Sequence, residues 1–125
     1  MKIFIICPVR NITTEWRNEL LNYSQYLESA GHEVHLPFRD VEQEDQTGFR
    51  ICREHAMKIY EADEVHIAYD GKSEGWLFDL GMAFVLDKVI KPIKRYFPDE
   101  NKGKSYSNMV WEWSRLGLLS FRHSE

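Results

Sequence analysis

The sequence predicts an α/β domain built around a parallel sheet, and three observations carry that prediction. Residues 3–7, Ile-Phe-Ile-Ile-Cys, form a continuous apolar run, the pattern of a strand buried on both faces. Runs of strand length then alternate with segments in which apolar residues recur every three or four positions. At 125 residues the chain has room for one core, so 1–125 is read as a single domain.

Each element has its own signal. After the first strand and a loop over 8–11, Thr13 or Thr14 can cap a helix, with Glu15 well placed against the helix dipole. Trp16, Leu20, Tyr23 and Leu27 fall on one face of that helix, and Gly31 supplies its stop. A second strand is expected over 33–37, where Val34 and Leu36 alternate with His35, followed by an acidic loop over 39–46. A second helix over about 47–61 turns Ile51, His55, Ala56 and Ile59 inward, and a third strand covers 65–69. Beyond a turn at 70–73, a third helix spans 76–87 and a fourth strand 89–93, where Pro92 suits an edge. A polar loop over 98–104, a last helix over 107–116 and a short fifth strand over 118–121 complete the chain. The expected architecture is a flavodoxin-like or Rossmann-like parallel sheet of four or five strands with helices on both faces. Ligands of such sheets gather beyond the carboxyl ends of the strands, which directs attention to the loops at 8–11, 38–45, 70–75 and 98–105.

Composition excludes several functions. No stretch approaches the roughly 18 apolar residues of a membrane span, and residues 1–8 are too short and too soon broken by Pro8 for a secretory signal. The expectation is a cytoplasmic protein with no membrane partner. A net charge of −4 argues against a binder of nucleic-acid phosphates. That charge is unevenly divided, net −8 over 1–87 and net +4 over 88–125, which predicts salt-sensitive self-association between the two halves. Cys7 and Cys52 read as small core residues; with no CxxC pair, a zinc site or disulfide framework has little support. Gly71-Lys72-Ser73 matches the tail of a phosphate-cradling loop, but that motif needs a glycine where His66 stands. No GxGxxG follows the first strand, and the acids a receiver domain needs at the end of that strand are missing. The five histidines read as structural or surface imidazoles, and Trp111, Trp113 and Phe121 as a core stripe or subunit interface.

The stretch that carries chemistry is 70–84. From Leu77 to Leu86 every residue is apolar or glycine except Asp79. A lone acid in a helix that is apolar on all sides is expected to be buried or to face a pocket. Burial raises its pKa and the first turns of the helix lower it, which suits a nucleophile or base. Gly75 and Ala83 lie one turn before and after Asp79, so small side chains flank it, while Asp70 and Glu74 stand at the same edge of the sheet. Three acids converging on one crevice let one ionise while another carries a proton. The residues alone leave a second possibility open, in which Asp79 satisfies a neighbouring backbone group or arginine and the other two acids are solvated.

The segments EADEVHIAYDG (61–71), SEGWLFDLGMAF (73–84) and KVI (88–90) resemble the nucleoside 2-deoxyribosyltransferase family, with its related nucleoside and nucleotide N-glycosidases. Residues 3–8 are similar to the family's opening strand and proline-bearing loop, 31–34 to the entry of its second strand, and 107–109 to a late segment that completes a neighbouring subunit's pocket. The resemblance implies a carboxylate that attacks the anomeric carbon of the sugar, expels the base and forms a covalent glycosyl-enzyme, which water or a second base resolves with retention. Carried over position by position, Asp79 is the nucleophile, Asp70 and Glu74 form the acidic turn that handles base or sugar hydroxyls, and Asp63 is the acid before the third strand. Candidate substrate-binding residues are Cys7, Pro8, Arg10 (toward a 5′-phosphate), Asp40, Asp63, Gly75, Ala83 and Asn108. The implied partners are a small-molecule nucleoside or nucleotide and further copies of the chain, as a homodimer or larger homo-oligomer; no metal or organic cofactor is implied. Two residues depart from the family pattern: Asp79 stands where glutamate is usual, and Cys7-Pro8 replaces Gly-Pro. The alternative function is a non-catalytic nucleotide-binding module that keeps the pocket.

Overall fold

The central strand β1 (Lys2–Ile6) pairs with β2 (Glu33–His35) on one side and β3 (Glu64–Ile67) on the other, and β4 (Val89–Pro92) pairs with β3. All pairs are parallel, giving the order β2-β1-β3-β4. The structure, a computed structural model, describes residues 1–116, so the expected strand over 118–121 and Phe121 lie outside the described residues. Four of the five β1 residues are buried, as the continuous apolar run requires.

Alternation along the strands sends their side chains into two separate cores. Ile3, Ile5 and Val34 pack with Leu20 of α1 (Thr14–Ser29), against which Trp16, Tyr23 and Leu27 also lie. On the opposite face Phe4, Ile6, Val65, Ile67 and Ile90 pack with α3 (Phe49–Glu61), α4 (Glu74–Val85) and α5 (Tyr106–Leu116). Right-handed crossovers explain this: β1 to β2 runs one way along the sheet and β2 to β3 to β4 the other, so the helices separate onto the two faces. The single-domain α/β architecture with helices on both faces is as expected.

Local chemistry fixes the element boundaries. Thr13 caps α1, its Oγ1 accepting the Trp16 amide at 3.1 Å. Gly31, at φ +96°, takes the left-handed position that ends α1, and the His32 amide bonds back to the Leu27 carbonyl at 3.2 Å. The second strand is shorter than expected because Pro37 opens a single-turn helix, α2 (Pro37–Asp40), within the segment read as strand end and loop. The Asp40 carboxylate holds that turn by accepting the Leu36 amide at 2.8 Å. Helix α4 begins at Glu74 rather than Trp76, because Ser73 Oγ accepts the Trp76 amide at 3.3 Å and caps it. A 3-10 turn at Lys94–Tyr96, which no periodicity announces, follows β4.

The free side of β2 has a fixed occupant. Arg39 Nη2 donates to the Val34 carbonyl at 3.1 Å, while the guanidinium also bonds both carboxylate oxygens of Glu28 and those of Asp40.

Candidate active site

The cap at Ser73 starts α4 beside the carboxyl end of β3 and turns Trp76, Asp79, Leu80 and Ala83 toward the core. Asp79 is 5% exposed. It meets His55 of α3, 8% exposed, whose Nδ1 lies 3.0 and 3.1 Å from the two carboxylate oxygens. Phe4 of β1 packs edge-on against the imidazole, ring centroids 5.5 Å apart. Burial pushes Asp79 above the ordinary carboxylate range, and the hydrogen bond and charge of His55 draw it part of the way back. With Asp79 ionised, Nδ1 must carry the proton it donates, and Nε2 is the ring's second polar atom. That Nε2 is buried and has no hydrogen-bond partner among the described residues. The arrangement is a carboxylate fixed at both oxygens, able to exchange one proton with an imidazole in a low-dielectric setting.

Around this pair the ends of β1 and β3 gather further groups. Cys7, just past β1, is buried; burial, reinforced by the carboxylates of Asp79 and Asp70, pushes its thiol up and keeps it neutral. Pro8 is buried beside it. Asp70 folds the turn after β3 by accepting the amides of Lys72 at 3.0 Å and Ser73 at 3.1 Å. Glu74 is exposed in the first turn of α4, where it lines a cavity of about 100 Å3 with Tyr69, Ser73, Trp76 and Tyr106. The rings of Tyr69 and Trp76 meet edge to face at 4.9 Å, and the Trp76 indole nitrogen is buried with no partner among the described residues. Arg10 is exposed in the loop after β1 and makes no ion pair among the described residues.

The flanking small residues behave differently from one another. A Cβ on Gly75 would come no nearer than 3.7 Å to Ser73 Oγ, so space does not require glycine there. Ala83 is fully buried in the core between α4 and the sheet rather than beside a void.

Three of the candidate residues lie elsewhere. Asp63 precedes β3 and accepts the Lys2 amide at 2.7 Å, which puts it at the amino end of the sheet, opposite the Asp70–Asp79 edge. Asp40 is engaged with Arg39 and Leu36 and lines a separate cavity of about 330 Å3 along β2, with Lys2, His35 and Lys58. Asn108 spends its amide inside its own chain, donating to Asn101 Oδ1 and the Gly103 carbonyl at 2.9 Å each and accepting the Asn101 amide at 3.1 Å. The structure therefore joins Asp79 to His55, sets Cys7 where the charges of Asp79 and Asp70 reach it, and places Glu74 with Ser73 and Trp76 at a small cavity that Asp79 does not line. Sequence reasoning put His55 on the inner side of its helix but assigned it no partner. The signal was present: two ionisable residues on the apolar faces of helices that both cross the same side of the sheet. Among the described residues no group of three or more His, Cys, Asp or Glu side chains is placed to hold a metal ion.

No known family model and no curated protein matches the sequence. Among solved structures the chain is similar to the CMP N-glycosidase BcmB of Clostridium botulinum, with a TM-score of 0.61 and 14% sequence identity over 94% of this chain and 82% of that one. The likeness bears out the parallel α/β fold that the family resemblance implied.

Proposed function

We propose that this protein cleaves the N-glycosidic bond of a nucleoside or nucleotide, with Asp79 as the attacking carboxylate and His55 as the residue that holds it. The observation that carries this reading is the buried Asp79–His55 pair, whose carboxylate stands on the helix that begins just past the carboxyl end of β3, the edge where ligands of such sheets gather. In support, the similar fold belongs to an N-glycosidase that acts on CMP.

The chemistry is a double displacement. An oxygen of Asp79 attacks C1′ as the C1′–N bond breaks, and the bond's electron pair leaves on the base nitrogen, which takes a proton relayed by Asp70 or Glu74. Water or an acceptor base then attacks C1′ from the other face, the C1′–O bond breaks, and the carboxylate returns, giving net retention. His55 donates to the carboxylate as it leaves in the second step and so stabilises the charge that reappears. Arg10, with no ion-pair partner among the described residues, is the candidate for a 5′-phosphate, which it can grip through two parallel N–H bonds.

The test is incubation with a panel of nucleosides and 5′-nucleotides, with and without a free acceptor base, following released base by chromatography. Base release that Asp79→Ala abolishes is expected, and release that survives this substitution unchanged overturns the assignment. Exchange that needs the acceptor marks a transferase, and release into water a hydrolase. A second reading, a non-catalytic nucleotide-binding module, is favoured by the near-complete burial of Asp79 and the engagement of both its oxygens. Nucleotide binding without base release is its signature.

A further inference from the structure

Across the sheet from Asp79, on the face that α1 covers, a carboxylate, an imidazole and a phenol form an unbroken hydrogen-bonded row. His66 of β3 is 4% exposed; its Nε2 lies 3.0 Å from Glu64 Oε1 and its Nδ1 2.5 Å from the hydroxyl of Tyr23 on α1. Glu64 and His66 stand two apart on one strand and so share a face, and Lys91 of β4 brings its ammonium within 3.5 Å of the same Glu64 oxygen. Val89 and Lys91 are both exposed on that side of β4. The row therefore ends at the margin of uncovered sheet, where a small molecule can reach it.

The hydrogen bonds fix where each proton sits. Burial favours a neutral Glu64, but the hydrogen bond from His66 and the charge of Lys91 outweigh it and hold the carboxyl below its ordinary range. An ionised carboxylate only accepts, so Nε2 carries the ring proton and Nδ1 is left to accept from the Tyr23 hydroxyl. Burial keeps His66 below the ordinary imidazole value, against the bond and charge of Glu64. Burial, reinforced by the Glu64 charge, also raises the Tyr23 phenol. Carboxylate, neutral imidazole and protonated hydroxyl, in that order, are the resting states of a nucleophile with a base beside it and a third group orienting the base.

We infer that Tyr23 is a nucleophile with His66 as its base and Glu64 as the positioning residue, and that it takes the acyl group of an activated carboxylic ester. Tyr23 Oη attacks the ester carbonyl carbon while its proton passes to His66 Nδ1. The bond from that carbon to the leaving oxygen then breaks with its electron pair on the oxygen, which recovers the proton from Nδ1. The products are an acyl ester on Tyr23 and the free alcohol or phenol. A hydroxyl that stays protonated at rest is suited to this, because the base removes the proton only as the new bond forms. The inference is independent of the reaction assigned to Asp79, whose helix packs in the other core.

Incubation of the full chain with p-nitrophenyl acetate tests it, with peptide mass spectrometry reading each site separately. Tyr26 of the same helix is the internal reference: it is 71% exposed, and its hydroxyl makes no hydrogen bond among the described residues. Tyr23, though half-buried, is expected to be acetylated faster than Tyr26 at neutral pH. The charged and titratable groups facing His66 are Glu64 on its own strand, Lys91 of β4, Tyr23 of α1 and His32 just after α1. Because the neutral imidazole is the base, the Tyr23 rate should level off above about pH 7. An unassisted phenol reacts through its phenolate and gains about tenfold per pH unit instead. His66→Gln should slow acetylation of Tyr23 roughly a hundredfold or more. Glu64→Gln should slow it as well and move the midpoint of its pH profile downward, because an amide does not support the imidazolium; loosened packing alone would leave that midpoint in place. Acetylation of Tyr26 as fast as that of Tyr23 overturns the inference. So does a Tyr23 rate that climbs with pH without levelling, or one whose size and midpoint Glu64→Gln leaves unchanged.

Discussion

His55 and Asp79 are 24 residues apart in sequence, and their meeting depends on α3 and α4 lying side by side over one face of the sheet. Asp79 was legible because a single acid interrupts ten otherwise apolar or glycine positions; His55 was legible as an inward residue, but a contact between helices has no period in sequence. Removing one partner of such a buried pair strands the other's charge, at a cost on the order of 3–5 kcal/mol. His55→Ala is therefore expected to be strongly destabilised, and the deficit depends on pH with a definite sign. Burial already raises Asp79, and without His55 nothing on the imidazole side opposes that rise. A group whose pKa is raised by folding contributes its stability while protonated and loses it as pH climbs through the folded value. The gap between His55→Ala and the parent chain should widen from about pH 5 to about pH 8, which urea denaturation at the two values measures. A constant gap would show that Asp79 does not carry the effect.

Two hydroxyl caps separate stability from site geometry at the level of the helix. Thr13 starts α1 on one face of the sheet, and Ser73 starts α4 on the other, six residues ahead of Asp79. Each substitution to alanine should cost about 1 kcal/mol. Thr13→Ala is expected to leave base release unchanged, whereas Ser73→Ala should slow it as well, because the turn that aims Asp79 loosens. Melting temperatures and initial rates for both variants check this, and equal rates would show that the cap does not position the carboxylate. The elements carried by long apolar patterns, β1, α1 and α3, could be read from the sequence closely. The misread boundaries were set by single polar groups instead: the Ser73 hydroxyl drew α4 two residues earlier, and the Asp40 carboxylate made a helical turn of an expected loop. The site inherited this limit, since acids such as Asp63 and Asp40 look alike in sequence whether they face a crevice or hold a backbone amide.

The uneven charge of the two halves is partly resolved within the molecule itself. Lys91 of β4 lies 3.5 Å from Glu64 of β3, and Arg95 pairs with Glu19 of α1, which also accepts the Tyr96 hydroxyl at 3.0 Å. Basic residues of the carboxyl-terminal part thus fasten it to acids of the amino-terminal part. Glu19→Ala withdraws a hydrogen bond and an ion pair together, and is expected to lower unfolding free energy by roughly 1–2 kcal/mol in a urea titration; no change would mean that the core alone holds that part of the chain in place. Arg39 has a different kind of consequence. An open sheet exposes unpaired backbone groups along its rim, and these can recruit a strand from another molecule and seed aggregation. On the β2 rim the Val34 carbonyl is already taken by a guanidinium that Glu28 and Asp40 tether, so an incoming strand would have to displace a charge. Arg39→Ala should therefore give more light scattering and less recovered protein on refolding from concentrated denaturant, so that one side chain protects the chain in the interval before its fold is complete.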